Sequence, residues 1–277
     1  MSVFDLQEMS HDQFAEAEKE GAVALVAVGA TEQHGYMPMG LDAFTAKFMQ
    51  DLIGMAMEQR LDVIKAPVMP FGASEHHTCY PGTISLGGSL FAQVLNQILR
   101  ELYRSGIRLV AIINGHGGNE GAIAWAMKDA KSFCPGLIIH NKTLHYLVGP
   151  GDWMKEYPNT ELPDSNRLSG ELSAITGEHE LSHADAGEAS LLGVCKPSQL
   201  TIAQRRMADL PPIPDMTQVS GIRHPQQWFE KMRAGNGGKG DPRRATEEAI
   251  RKATEMMRMA AKQTADDLVK MWEEMRR

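Results

Sequence analysis

Three stretches of this sequence carry side chains that could do chemistry. In Gly29-Ala30-Thr31-Glu32-Gln33-His34-Gly35-Tyr36-Met37-Pro38-Met39-Gly40-Leu41-Asp42, two carboxylates and an imidazole stand among glycines and a proline that forbid regular structure. In Asn114-Gly115-His116-Gly117-Gly118-Asn119-Glu120-Gly121, His116 sits on a backbone that an ion can approach closely. In His183-Ala184-Asp185-Ala186-Gly187-Glu188-Ala189-Ser190, residues 183 and 188 do not share one helical face. A His183 in a loop and a Glu188 in the first turn of a helix can still face one point. Any one of these residues alone reads as a cap or a hydrogen-bonding group; three loops of like composition point to a metal site. Mixed carboxylate and imidazole donors suit Zn, Mn or Fe(II), and the lack of thiolates leaves the metal open. The His116 loop does not match GxGxxG and has no clear acidic ribose partner downstream, which disfavours a dinucleotide site.

Hydrophobic patterning supplies the elements that must position these loops. Ala22 to Val28, Val63 to Val68, Ile107 to Ile113 and Leu137 to His140 read as strands, nearly all apolar, as parallel strands covered on both faces are. Residues 10 to 20, capped by Ser10, then Ala43 to Glu58, Leu90 to Tyr103 and Ala122 to Phe133 show helical spacing. The alternation predicts an α/β fold: a single domain over residues 1–277, with a central, mainly parallel sheet and helices on both faces. Ligand sites in such sheets lie beyond the C-terminal strand ends. The segments 32–42, 75–78 and 114–119 each follow such an end. From Tyr146 to Ser169 patterning stops, and a long loop containing Trp153 is expected. Pro211, Pro212, Pro214 and Pro225 and the Gly235–Gly240 run predict irregular surface excursions, and Thr246 to Arg276 a long final helix with a stripe through Ile250, Met257 and Leu268. Met55, Met57, Met256 and Met257 are expected to fill the core.

Composition narrows the partners. The 277 residues have a formal net charge of −7 and no basic cluster, which argues against nucleic acid or an anionic membrane. Three widely spaced cysteines with no CxxC pair point to a reducing compartment, and neither a signal peptide nor a membrane-length apolar run is evident, so a cytoplasmic protein is expected.

The sequence resembles the creatininase (creatinine amidohydrolase) family. The resemblance is carried by Gly-Ala-Thr-Glu32-Gln-His34-Gly with Asp42, by Ser74-Glu75-His76 with Tyr80-Pro81-Gly82-Thr83-Ile84-Ser85, and by Asn114-Gly-His116-Gly-Gly-Asn119. His183 with Glu188-Ala-Ser190, and Gly240-Asp241-Pro242, complete it. It implies a three-layer sandwich and a centre of two divalent metal ions. Glu32 and His116 would hold one ion and His34 and Glu188 the other, with Asp42 bridging. His183 would be the catalytic histidine, and Glu188 would serve catalysis as well as binding. The implied reaction is attack by metal-activated water on a small-molecule substrate, most often at the C–N bond of a cyclic amide, formamide or peptide end; some relatives open a carbocyclic ketone at C–C instead. A homo-oligomer, often a hexamer, is also implied. Two departures stand out. The Glu32–Asp42 interval is one residue short and holds Tyr36-Met37 in place of the common Pro-His. Creatininase proper also has a carboxylate where Gly118 stands, so creatinine is a doubtful substrate. A binding or assembly module on the same fold and a nucleotide-dependent enzyme are the competing expectations.

Overall fold

The protein is represented by a computed structural model that describes residues 1–144, 163–178, 182–216 and 224–277, with backbone alone over 163–169. Five parallel strands lie in the order β1-β3-β2-β4-β5: β1 Val3–Asp5, β2 Val23–Val28, β3 Val63–Lys65, β4 Leu109–Asn114 and β5 Ile138–Thr143. Successive β2 side chains point to opposite faces. Val23 and Leu25 meet Met49, Ile53 and Met57 of α2 (Leu41–Met57) and Ala253, Met257 and Leu268 of the final helix. Ala24 and Val26 meet Phe91, Leu95 and Leu99 of α3 (Gly87–Arg104) and Ile123 and Ala126 of α4 (Glu120–Phe133). Helices therefore cover both faces of a parallel sheet, as the apolar runs predict. Helix α1 (His11–Lys19) opens with a complete capping box between Ser10 and Gln13.

After β5 the described helices are α5 Pro163–Thr176, α6 Ala186–Cys195, α7 Pro197–Arg206, α8 Pro225–Lys231 and α9 Glu247–Met275. Several expectations are corrected. Strand β3 ends at Lys65, because Pro67 breaks the ladder and only an isolated bridge, Val28 to Met69, follows. The edge strand β1 is too short to leave a periodic signal. Helix α5 occupies 163–169, expected as loop, since Pro163 is well tolerated at a helix start. Met55 is 68% exposed on the outer side of α2, whereas Met57, Met256 and Met257 are buried. Residues 211–216 are irregular, as expected, but α8 interrupts the Pro-rich segment. Trp153 lies outside the described residues.

Candidate metal centre

The three loops meet because α2 begins against two strand ends. A Cβ on Gly29 would lie 2.5 Å from the Ala43 nitrogen, and one on Gly115 would lie 2.2 Å from the Asp42 carbonyl oxygen. Only glycine lets the first turn of α2 press between β2 and β4. Asp42 is thereby carried from the first loop to the second. The amides of Asn114 and Asn119 then fasten the loops together. Asn114 accepts from the His116 N–H (3.1 Å) and donates to the His116 carbonyl (2.8 Å). Asn119 accepts from the Ala73 N–H (2.8 Å) and donates to the Gly29 carbonyl (3.1 Å). The segment after β3 closes over the first loop, with Ile84 donating to the Thr31 carbonyl and Thr83 accepting from the Gln33 N–H. From the other side, Asp185 caps α6 by accepting from the Glu188 and Ser182 N–H groups. Glu178 accepts from the N–H groups of Ala186 (2.9 Å) and Asp241 (2.7 Å). His183 lies in the loop and Glu188 in the first turn of α6, both facing the same point.

Glu32, His34, Asp42, His116, His183 and Glu188 all converge, each less than a tenth exposed. Asp42 stands in the middle, 3.1 Å from His34 Nε2 through one oxygen and 3.1 Å from His116 Nδ1 through the other. Glu32 lies 3.3 Å from His116 Nε2 and 3.7 Å from His183 Nδ1, and Glu188 lies 3.8 Å from His34 Nε2. Neither oxygen of Glu32 has a hydrogen-bond partner, although both are buried. A buried carboxylate that lacks hydrogen-bond donors is costly, and coordination of a cation is one remedy. Two donors each about 2.1 Å from one tetrahedral ion lie roughly 3.4 Å apart, close to these separations. Glu32 with His76 and His116, Glu32 with His34 and His183, and His34 with Asp42 and Glu188 each form a triad of mutually close donor atoms. The donor set is therefore fit to hold divalent cations.

Without a cation, protons take up part of that role. Burial would lower His34, but the Asp42, Glu188 and Glu32 carboxylates reverse this and raise it to about 10. Burial likewise opposes Glu32 and Asp42 at His116, which rises to about 9. Burial raises Glu32 to about 7 and Glu188 to about 8, against the pull of the neighbouring imidazoles. At Asp42 burial is overcome by His34 and His116, which hold the carboxyl well below its usual range. His183 is pushed well below its ordinary value by burial and by the surrounding histidines, and burial lowers His76 to about 4.

Sequence reasoning missed four residues here. Gln33 donates toward His77 Nδ1 (3.0 Å) and the Gly237 carbonyl (3.1 Å), while its own carbonyl lies 3.0 Å from His183 Nε2. His77 and His76 occupy a 3-10 turn beside Glu32; the adjacent His-His pair was visible but unassigned. Trp228 of α8 stands edge-on to His77 and His183, with centroids at 4.4 and 5.4 Å, and donates to the Gly237 carbonyl. Nothing in the sequence near Trp228 signals that position.

Fold and site together define a parallel-sheet α/β protein with carboxylate and imidazole donors gathered at the C-terminal edge of its sheet. The Creatininase family model, described as creatinine amidohydrolase, matches residues 7–268, and the chain belongs to that family. Among named relatives, the mycofactocin precursor peptide peptidase of Mycolicibacterium smegmatis is 35% identical over 111 residues, covering 38% of this chain and 43% of that one. The 3-dehydro-scyllo-inosose hydrolase of Thermotoga maritima is 29% identical over 142 residues, 50% of this chain and 44% of that one. The creatinine amidohydrolase of Pseudomonas putida is 30% identical over 103 residues, 35% of this chain and 38% of that one. The matches thus span less than half the length of each relative. A solved creatinine amidohydrolase (creatininase) superposes with a TM-score of 0.67 at 21% identity, over 97% of both chains, which bears out the expected fold. Similar creatininase structures are described as Mn and Zn-Zn forms. Among the described residues, no helix is long and apolar enough to cross a membrane.

Proposed function

We propose that residues 1–277 form one metal-dependent hydrolase unit in which Glu32, His34, Asp42, His116 and Glu188 hold two divalent cations and His183 moves protons. The observation that supports this most directly is the pair of buried, unpartnered Glu32 oxygens in a cluster of imidazoles. When bound, two such cations supply Lewis acidity toward water and toward the substrate carbonyl. The residues do the rest. His183 Nε2 lies 3.0 Å from the Gln33 backbone carbonyl and 2.9 Å from the Gln33 side-chain amide nitrogen, so that edge of the ring is anchored and Nδ1 is turned toward Glu32 at 3.7 Å. Burial keeps that imidazole neutral, so it enters the reaction as a base: it takes a proton from water and delivers it to the departing group. Trp228 and His77 hold the ring in place by packing, and Glu188, fixed by the Ala184 N–H, keeps His34 oriented.

The reading favoured for the bond is C–N, in a small polar amide, formamide or peptide end. A C–C ring-opening reaction is the second reading, favoured by the Thermotoga maritima inosose hydrolase, whose match covers half of this chain. Zinc, manganese and iron all suit the donors, and a cytoplasmic homo-oligomer of up to six chains belongs to the same proposal. Protein purified without chelator is expected to contain close to two transition-metal ions per chain. Reconstituted with Zn²⁺ or Mn²⁺, it is expected to hydrolyse at least one member of a panel of cyclic amides, formamides, short peptides and inososes, and Asp42→Ala to hydrolyse none. A metal-free protein with an intact fold, or activity that survives Asp42→Ala and chelation, overturns the proposal.

A further inference from the structure

The two sides of the centre are supplied by different donors. His34, Asp42 and Glu188 form one compact triad of mutually close donor atoms, whereas on the opposite side Glu32 and His116 form such a triad with His76 and not with Asp42. We propose that His76 is a ligand of the ion on the Glu32 side, completing a Glu32–His76–His116 triad. The inference rests on the two-metal reading and adds to it a donor that reading does not contain.

Four observations carry it. One donor atom from each of Glu32, His76 and His116 lies within 4.8 Å of the other two, the spread expected of side chains flanking one cation. The His76 and His116 rings are parallel, 3° apart, with centroids 5.8 Å from each other, so both can turn an edge toward the Glu32 carboxylate. The turn that presents His76 is fixed: Glu75 points away, accepting from the Gly88 N–H and from Ser85 Oγ, and the Ser74 N–H donates to the same hydroxyl. Residue 118, which could offer a donor from the other flank, is excluded. A Cβ there would lie 2.4 Å from both His116 Nε2 and the Ala73 carbonyl oxygen, so this backbone admits only glycine.

The neighbouring histidine is the natural rival. His77 has its Nδ1 engaged by Gln33 and offers Nε2 to Glu32 at 3.5 Å, but it belongs to none of the donor triads among the described residues. With Nδ1 accepting, its hydrogen sits on Nε2, so the ring has no free lone pair to offer an ion.

The test is metal stoichiometry and affinity, with no need of a substrate. Wild type, His76→Ala, His76→Glu and His77→Ala are stripped, checked for folding by circular dichroism, and titrated with Zn²⁺ against a chromophoric chelator; bound metal is then measured by mass spectrometry. Wild type and His77→Ala are expected to hold two ions. His76→Ala is expected to hold one tightly, with the second weakened at least about 100-fold, since the loss of a direct ligand exceeds that of an outer partner. His76→Glu, which restores a donor, is expected to recover the second ion, and with Co²⁺ its visible bands should shift from those of wild type as one imidazole donor becomes a carboxylate. Two ions bound with unchanged competition in His76→Ala, or loss of an ion in His77→Ala instead, overturns the assignment of His76 and leaves the two-metal reading standing. A wild type that takes up no metal brings down both.

Discussion

Asp42 lies 3.1 Å from His34 Nε2 through one oxygen and 3.1 Å from His116 Nδ1 through the other, the closest carboxylate to both rings among the described residues. Its replacement by alanine should therefore cost both ions, not one. The expected result is loss of most bound metal and a fall in hydrolysis of at least about 100-fold, beyond the 10- to 100-fold that outer partners of a metal usually carry. Metal analysis of the dialysed variant checks this. The histidines make a second prediction. With His34 raised to about 10 and His116 to about 9, both are protonated at neutral pH in the ion-free protein, and a cation must displace those protons. Zinc affinity should rise steadily from pH 6 to pH 9, and calorimetry in buffers of different ionisation enthalpy should show net proton release. A pH-independent affinity would mean that the imidazoles are not the ligands.

At the scale of elements, the site depends on how closely α2 approaches β2 and β4. Gly115→Ala places a methyl group 2.2 Å from the Asp42 carbonyl oxygen, so the start of α2 must retreat. Overpacking of this kind typically costs about 1–3 kcal/mol, and thermal unfolding should show it. Because Asp42 moves with the helix, metal affinity should fall as well. Asn119→Ala acts differently. It leaves the Ala73 N–H and the Gly29 carbonyl without partners, at roughly 1–3 kcal/mol for each buried group left unsatisfied. The same reasoning explains Gly240-Asp241-Pro242: the Asp241 N–H is one of two backbone donors that Glu178 ties together, so the motif braces the start of α6 instead of touching an ion.

At the scale of the whole molecule, metal and stability are coupled. An ion bound only by the folded state stabilises it by about 2.7 kcal/mol at one hundred times its dissociation constant, so chelation should lower the unfolding temperature. The loss should also depend on pH. His34 and His116 have folded pKa values above the unfolded 6.5, so the stability they contribute is complete below about pH 6.5 and is lost as pH rises through about 9 and 10. Glu188, raised to about 8, has the same sign. Chelated protein should therefore weaken between pH 7 and 10, while metal-loaded protein, its imidazoles already neutral, should change less. Thermal melts of both forms across that range decide the matter.

Much of this was legible in the sequence. The apolar runs set the parallel sheet because a strand buried on both faces has no polar side to show, and the Gly, His and carboxylate loops were visible because ligands need special backbone around them. The resemblance supplied the family. What the sequence did not contain was proximity. Gln33, His76, His77 and Trp228 are spread over 195 positions, and although Gln33 and His76 fall inside recognisable stretches no local pattern gives their contacts, because these come from which loops the sheet edge brings together. Edge strand β1 and helix α5 were hidden for a related reason: the one is too short for periodicity to register, and the other begins inside a polar, Pro-containing stretch. Residue types thus determined which chemistry this chain could perform, and tertiary structure alone decided which donors share a cation, since distance in space is set by packing and not by order along the chain.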